Sequence, residues 1–408
     1  MNERMVIVDG VRTPFCKMGT DLATFPADDL GRIAVNALLT RTGLDPALVD
    51  EVIFGCVSQP AEAANIARVI ALRAGIPQSV PAATVHRNCA SGFESFTTAY
   101  ERMCAGRGSV YIVGGAESMS HVPMLFQETT AQKFTDLARS KTTAQKVSAL
   151  ASFRVGDFEP RAGLKLGLTD PVCGLNMGET AELLAKENEI TREQQDAFAL
   201  HSHEKAIAGE AKLSEEMCPV YVNGKPLLKD NGPRANQSMA ILGGLKPVFE
   251  KYGTVTAGNS SQITDGAVAL LVMTESRARE LGYTPLGVLV GYAYAGTDPA
   301  RMGLGPVAAI EKLGKSNSLT LADADLIEIN EAFAAQVLAV LQRLKPEVPP
   351  DKLNVNGGAI ALGHPVGATG ARLVLTSLKE LARRNAKRAL VSLCVGGGQG
   401  GAIWLERI

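Results

Sequence analysis

The sequence predicts an α/β protein made of two similar halves, with a loop domain inserted in the first. Three observations carry this expectation. Apolar runs and helical periodicity alternate in the order strand–helix–strand–helix–strand between Met5 and Gly115. The same alternation returns from Ala267 onward. The two stretches also share a pattern. Cys89-Ala90-Ser91-Gly92 opens a helix that leads to a strand and the pair Gly114-Gly115, while Gly367-Ala368-Thr369-Gly370 opens a helix that leads to a strand and Gly396-Gly397-Gly398. A pseudo-twofold arrangement of such copies would bring both loop sets over one shared site.

Taken in order, Met5–Val8 is expected as a buried strand and Asp28–Thr40 as a helix, its Asp28-Asp29 suiting the positive end of the helix dipole. Val52–Phe54 is the next strand, Ala64–Arg73 a helix closed by Gly75, and Ala83–Val85 a short strand. Ala90–Cys104 is a helix, and Val110–Val113 is a strand running into what is expected to be a tight turn at Gly114–Ser118. Residues 120–246 differ in character, mixing short helical patterns with breakers such as Asp230-Asn231-Gly232-Pro233. Within them Ala185–Ala206 is a polar helical segment, and Thr191–Gln194 resembles a capping box. Strands are then expected at Ala267–Met273, Leu286–Tyr292, Leu326–Ile329, Leu353–Val355, Ala389–Leu393 and Ala402–Leu405, with helices at Phe333–Leu344 and Ala368–Ala382. This divides the chain into an N-terminal half (1–119 with 247–275), a loop domain (120–246) and a C-terminal half (276–408).

Composition narrows the function. A formal net charge of −1 gives no basic surface to hold nucleic acid. Seven cysteines, an odd number with no CxxC pair, speak against a disulfide framework or structural zinc and for a reducing, cytoplasmic setting. A strand beginning at Met5 leaves no room for a signal peptide, and no apolar run reaches the roughly 20 residues that span a bilayer. His201 and His203, two apart, do not share a helix face and so are not expected to chelate a metal.

Three segments carry chemistry. Cys89 stands at a strand–helix junction among small residues, where a helix N-terminus would lower its thiol pKa; a buried structural cysteine is the plain alternative. His364 stands in the glycine-rich run Gly357–Gly370, which suits close approach of a ligand. Cys394 ends a strand and is followed by glycines. Because Ala402–Leu405 is a strand rather than a helix, this is no dinucleotide loop, and its free N–H groups could line an oxyanion hole.

Those segments, together with Asn330-Glu331-Ala332-Phe333 and Arg12-Thr13-Pro14-Phe15, strongly resemble the thiolase family over nearly the whole chain. The resemblance implies a five-layered αβαβα fold of two βαβαβαββ halves. It implies Cys89 as the acylated nucleophile, His364 as its base and Cys394 as the acid/base at the substrate α-carbon. The N–H groups of Cys89 and Gly396 would form one oxyanion hole, and His364 with a water on Asn330 the other. Ser261 would meet the pantetheine arm of coenzyme A. Met177, Phe249, Met302 and Phe333 would line the pocket, although apolar residues are equally suited to ordinary core.

No metal or redox cofactor is implied, and coenzyme A is a substrate. The expected reaction is thiolysis of 3-ketoacyl-CoA in fatty-acid β-oxidation. Acetoacetyl-CoA thiolase is the alternative, and a decarboxylating ketoacyl synthase or a noncatalytic acyl-CoA-binding module are more distant ones. Asn176 stands where short-chain biosynthetic thiolases often carry histidine. Residues 129–155, rich in Lys and Arg set among apolar residues, resemble the loop of thiolases that serve as β-subunits of fatty-acid oxidation complexes. That stretch could meet an α-subunit or a membrane surface, or could be a solvated helical hairpin. A homodimer or a dimer of dimers is the family's usual assembly.

Overall fold

The computed structural model describes residues 3–408. The first half runs β1 (Met5–Arg12), α1 (Ala27–Thr42), β2 (Glu51–Gly55), α2 (Ile66–Arg73), β3 (Ala82–Val85), α3 (Ser91–Cys104) and β4 (Val110–Glu117). The intervening chain contains α4 (Glu128–Arg139), α5 (Thr143–Ala151), α6 (Met177–Glu187) and α7 (Arg192–Ala208). β5 (Thr264–Thr274) then completes the first sheet. The second half runs β6 (Gly287–Gly296), α8 (Gly305–Asn317), β7 (Leu326–Ile329), α9 (Ala334–Arg343), α10 (Thr369–Arg384), β8 (Arg388–Val395) and β9 (Gln399–Glu406).

The two halves share one strand order, apart from one edge strand. In the first sheet β3 and β2 run parallel to β4, which pairs antiparallel with β5, which pairs antiparallel with β1. In the second, β7 runs parallel to β8, which pairs antiparallel with β9, which pairs antiparallel with β6. The counterpart of β3 is reduced to a single parallel bridge, Ile327 to Leu353, so the strand expected at Leu353–Val355 is only an edge contact. β1 and β6 join the sheets antiparallel through Val6–Val288 and Ile7–Gly287.

Side-chain burial follows the layers. The alternating faces of β1, β2, β4 and β5 supply Val6, Val52, Ile112 and Leu271 to a core shared with α1 and α2. Their other faces supply Ile7, Ile53, Val113 and Leu270 to a central core with Phe93, Phe96, Leu375 and Leu378 of α3 and α10. Beyond the second sheet, Ile327, Leu390 and Trp404 pack on Ile310 and Leu313 of α8 and Val337 and Val340 of α9. The result is the five-layered αβαβα order, with α3 and α10 as the middle layer.

The middle helices meet almost backbone to backbone. A Cβ on Gly92 would lie 2.6 Å from the Ala371 amide nitrogen, and one on Gly370 would lie 2.5 Å from that of Phe93. Both glycines therefore serve helix–helix approach, and for Gly370 this replaces the ligand approach expected of the Gly357–Gly370 run. The contact sets the N-termini of α3 and α10 side by side.

Two local expectations are corrected. Gly114–Glu117 is not a turn: β4 continues through Glu117, because Gly115 and Ala116 keep their register with Val268 and Ala267. Ala185–Ala206 is not one helix: α6 ends at Glu187, Glu189 has φ +52°, and the Thr191–Gln194 capping box starts α7 anew.

The chain separates into two compact units, one of residues up to His121 with Asp170–Ile408, the other Val122–Thr169. Of the loop domain expected at 120–246, residues from Asp170 onward therefore belong with the sheets. The smaller unit is a helical hairpin of α4 and α5, with Thr142 and Gln145 forming a capping box at the bend. The Phe134 ring lies 5.5 Å from Phe126 and 4.9 Å from Phe153, and Lys133 pairs with Asp157 at 2.6 Å. Val147 and Leu150 of α5 are exposed. No described helix is long and apolar enough to cross a membrane.

Candidate active site

Cys89 sits in the tight turn between β3 and α3. Asn88 takes φ +43°, and its carbonyl accepts from both the Ser91 amide (3.0 Å) and Ser91 Oγ (2.7 Å). Ser91 Oγ in turn accepts from the Arg87 amide at 2.9 Å, which closes the turn. Asn88 Nδ2 reaches into the other half and donates to the Gly396 carbonyl at 2.7 Å. Gly396 begins the turn between β8 and β9, where Gly397 and Gly398 have φ +89° and +79°, backbone that glycine tolerates without strain.

Two backbone N–H groups, that of Gly396 and its own, act on the Cys89 thiol. These favour the thiolate, but burial outweighs them and raises the thiol pKa above its usual value. The shift runs against the lowering expected from the helix N-terminus: Cys89 is half-buried as a residue, but desolvation is the largest cause and it rests as a thiol. Cys394, fully buried at the end of β8, is pushed up further, first by burial and then by the charge a Cys89 thiolate would carry. The two cysteines come from opposite halves and sense each other electrostatically.

His364 is buried in the loop before α10, with its backbone N–H donating to the Gln262 carbonyl at 3.0 Å. Its Nδ1 lies 2.6 Å from Thr369 Oγ1, and its Nε2 has no hydrogen-bond partner among the described residues. Burial, and then the charge of Arg372, lower its pKa to about 4, so the ring is neutral at ordinary pH. Arg372 is itself buried, 3.6 Å from Glu328.

Asn330 follows β7, and its amide N–H donates to the Ser392 carbonyl at 2.9 Å. Its side chain is buried, with neither Oδ1 nor Nδ2 bonded to the protein, which leaves capacity for a water or a substrate oxygen. The neighbouring Glu331 is a clasp that sequence reasoning did not single out. Its carboxylate accepts from Ser202 Oγ (2.6 Å), Asn354 Nδ2 (2.9 Å) and the Ile360 amide (3.2 Å). It thereby ties the Asn330 loop to α7 and to the run leading to His364. Glu117 does the same on the other side, accepting from the amides of Val57 (3.1 Å), Ser58 (2.8 Å) and Gly367 (2.8 Å). A lone acid at the end of the apolar run of β4 was the available signal.

The apolar residues expected to line a pocket lie together in packed core. Met302, Phe333 and Cys394 share one buried cluster, with Met177 and Phe249 packed against it. The Phe249 and Phe333 rings meet edge to face at 6.1 Å. Ser261 adjoins that cluster, its amide donating to the carbonyl of Ala332, a cluster member, at 2.9 Å. Asn176 caps α6, its side chain accepting from the Gly178 amide at 3.0 Å. His203 accepts from the Arg234 amide at 3.2 Å, and among the described residues no group of His, Cys, Asp and Glu is arranged to hold a metal ion.

Comparison with known proteins agrees with this arrangement along the whole chain. The family description "Thiolase, N-terminal domain" matches residues 5–276, and "Thiolase, C-terminal domain" matches residues 283–407. A probable acetyl-CoA acyltransferase of Staphylococcus aureus (strain COL) is 42% identical over 404 residues, covering 97% of each chain. An acetyl-CoA acetyltransferase of Cupriavidus necator is 42% identical over 411 residues, covering 99% of each. Among solved structures, the acetyl-CoA acetyltransferase of Bacillus anthracis superposes with a TM-score of 0.90 at 38% identity, covering 100% of this chain and 99% of that one. Human mitochondrial 3-ketoacyl-CoA thiolase in complex with CoA superposes with a TM-score of 0.90 at 38% identity, covering 100% of this chain and 98% of that one. The chain belongs to the thiolase family and is a thiolase-type enzyme that transfers acyl or acetyl groups of coenzyme A thioesters.

Proposed function

We propose that the protein is a 3-ketoacyl-CoA thiolase, cleaving 3-ketoacyl-CoA with free coenzyme A to acetyl-CoA and a shortened acyl-CoA. The observation that carries this reading is the apolar cluster of Met177, Phe249, Met302 and Phe333 around Cys394. Such a lining favours an alkyl chain on the 3-keto carbon. The likeness to the CoA-bound human 3-ketoacyl-CoA thiolase supports coenzyme A as the shared substrate.

In the proposed reaction the neutral His364 takes the Cys89 proton on Nε2, and the thiolate attacks the 3-keto carbon. The C2–C3 bond then breaks, leaving an acyl group on Cys89 and the electron pair on the acetyl-CoA enolate. The enolate oxygen is held by His364 Nε2–H and a water on the Asn330 amide. Cys394, kept protonated by burial, gives its proton to C2 and releases acetyl-CoA. The incoming coenzyme A thiol, deprotonated by the Cys394 thiolate, attacks the acyl carbon. The resulting oxyanion lies on the N–H groups of Cys89 and Gly396, which also favour the Cys89 thiolate. Collapse returns Cys89. The nucleophile and the acid must be separate groups, because both act on one substrate within one half-reaction.

Thiolysis rates on 3-ketoacyl-CoA substrates of increasing chain length, from acetoacetyl-CoA upward, test the reading. Rates that hold or rise with length support it. Activity confined to acetoacetyl-CoA assigns the protein instead to acetoacetyl-CoA thiolysis and the condensation of two acetyl-CoA.

A further inference from the structure

The imidazole of His364 can act as a base only if the proton of its neutral form sits on Nδ1 and the lone pair on Nε2. The ring itself prefers neither tautomer strongly, so a neighbour must decide. Thr369, fully buried in the first turn of α10, is that neighbour. Its Oγ1 lies 2.6 Å from His364 Nδ1 and 3.0 Å from the Pro365 carbonyl oxygen. A carbonyl oxygen can only accept, so the single hydroxyl hydrogen of Thr369 is drawn to Pro365. If that hydrogen pointed to Nδ1 instead, two oxygen lone pairs would face each other at 3.0 Å in a buried site. The remaining lone pair of Oγ1 then accepts from Nδ1–H. Nε2 is left unprotonated, and of the two nitrogens of this ring it is the one with no partner among the described residues.

The Pro365 carbonyl is itself fixed, accepting from the amides of Ala368 and Thr369 at 2.9 Å each. The chain of bonds therefore runs from the start of α10 to the ring. That helix start is positioned in turn by the Gly92–Gly370 crossing with the helix that follows Cys89.

We infer that Thr369 is a positioning residue for the base: it fixes His364 in the Nδ1–H tautomer and orients Nε2 to take the Cys89 proton. The inference rests on the proposed role of His364. Its test must separate failure of that role from failure of the positioning.

Alkylation of Cys89 by iodoacetamide does so without any acyl-CoA. In that reaction the Cys89 S–H proton passes to His364 Nε2, and the sulfur displaces iodide from the reagent carbon. The rate of Cys89 modification, mapped by peptide mass so that Cys394 and the other cysteines are counted separately, is compared in wild type and His364→Ala, Thr369→Val and Thr369→Ser variants. Thermal-unfolding midpoints are recorded for each.

The expected result is a rate at least about tenfold lower in His364→Ala and in Thr369→Val, within the range of a lost general base. Thr369→Ser, which keeps Oγ1, is expected within about twofold of wild type. In turnover, Thr369→Val should lower kcat with little change in KM, since Thr369 touches no substrate. Should Thr369→Val fail to fold, Thr369→Ala carries the same expectation. A slow His364→Ala beside a Thr369→Val as fast as wild type overturns the positioning inference alone. A His364→Ala as fast as wild type overturns the role of His364 as base, and this inference with it.

Discussion

Asn88 donates its side-chain N–H to the carbonyl of Gly396 across 2.7 Å, joining the nucleophile turn of one half to the glycine turn of the other. The N–H of the same Gly396 favours the Cys89 thiolate, so the bond anchors the residue that supplies this N–H. Asn88→Ala should leave the fold intact and lower kcat by about tenfold or more, because a donor aimed at the developing oxyanion loses its anchor. Asn88→Ala kinetics alongside a circular dichroism melt would check this. Unchanged kcat would mean that the Gly396 turn holds its shape unaided.

Gly92 and Gly370 admit no side chain without moving backbone. Gly92→Ala should destabilise the fold by about 2 kcal/mol or more, since its methyl meets the Ala371 amide rather than a side chain that can turn away. Urea unfolding of the variant gives the figure. Gly156→Ala is the control, because nothing lies within 4 Å of the added methyl.

Arg12 is buried between Asp230, at 2.7 and 2.8 Å, and Glu216, at 2.7 Å. Glu216 also accepts from Thr376 of α10. Removing one member leaves the others charged in a dry site, so Arg12→Ala should cost about 3 kcal/mol or more. Replacing all three charged residues with apolar ones of similar volume should cost less than Arg12→Ala alone. A denaturation series on the single and triple variants decides it.

His203 is buried, and burial with the charges of Arg234 and Lys17 lowers its pKa from 6.5 to about 4. The folded state thus binds fewer protons at this residue than the unfolded chain between those values. Its neutral-form contribution is present in full above about pH 6.5 and is lost as pH falls toward 4. The stability of His203→Gln relative to wild type should therefore improve steadily as pH drops through that window. Parallel melting curves in a pH series measure the difference, and a pH-independent difference would contradict it.

His364 is shifted the same way, to about 4. Cys89 acylation should accordingly keep its rate as pH falls through 6.5 and decline only as pH nears 4. Stopped-flow acylation rates across that range check the sign. An inflection near the ordinary histidine value would contradict a buried neutral base.

Much of this was legible in the chain, for identifiable reasons. The strands of both halves are apolar runs bounded by breakers, and the repeat of a helix-opening glycine run before a strand revealed the duplication. Cys89, His364 and Cys394 stood out because each lies among glycines and small residues. What stayed hidden depends on pairing across long distances. The extension of β4 through Glu117 is fixed by its register with β5, roughly one hundred and fifty positions on. Gly370 looked like part of an opening for a ligand until the helix crossing supplied its partner, Gly92. The direction of the Cys89 pKa shift turned on burial, which no local pattern reports. Glu331 and Thr369 act through hydrogen bonds whose partners a sequence does not name.

The most direct measurement is mass spectrometry of the enzyme quenched after mixing with a 3-ketoacyl-CoA in the absence of free coenzyme A. The account predicts one acyl group, shorter than the substrate by the two carbons released as acetyl-CoA, mapped to the peptide that carries Cys89. It predicts no such adduct in Cys89→Ala. An acyl group on Cys394 or on another residue, or none despite turnover, would contradict it.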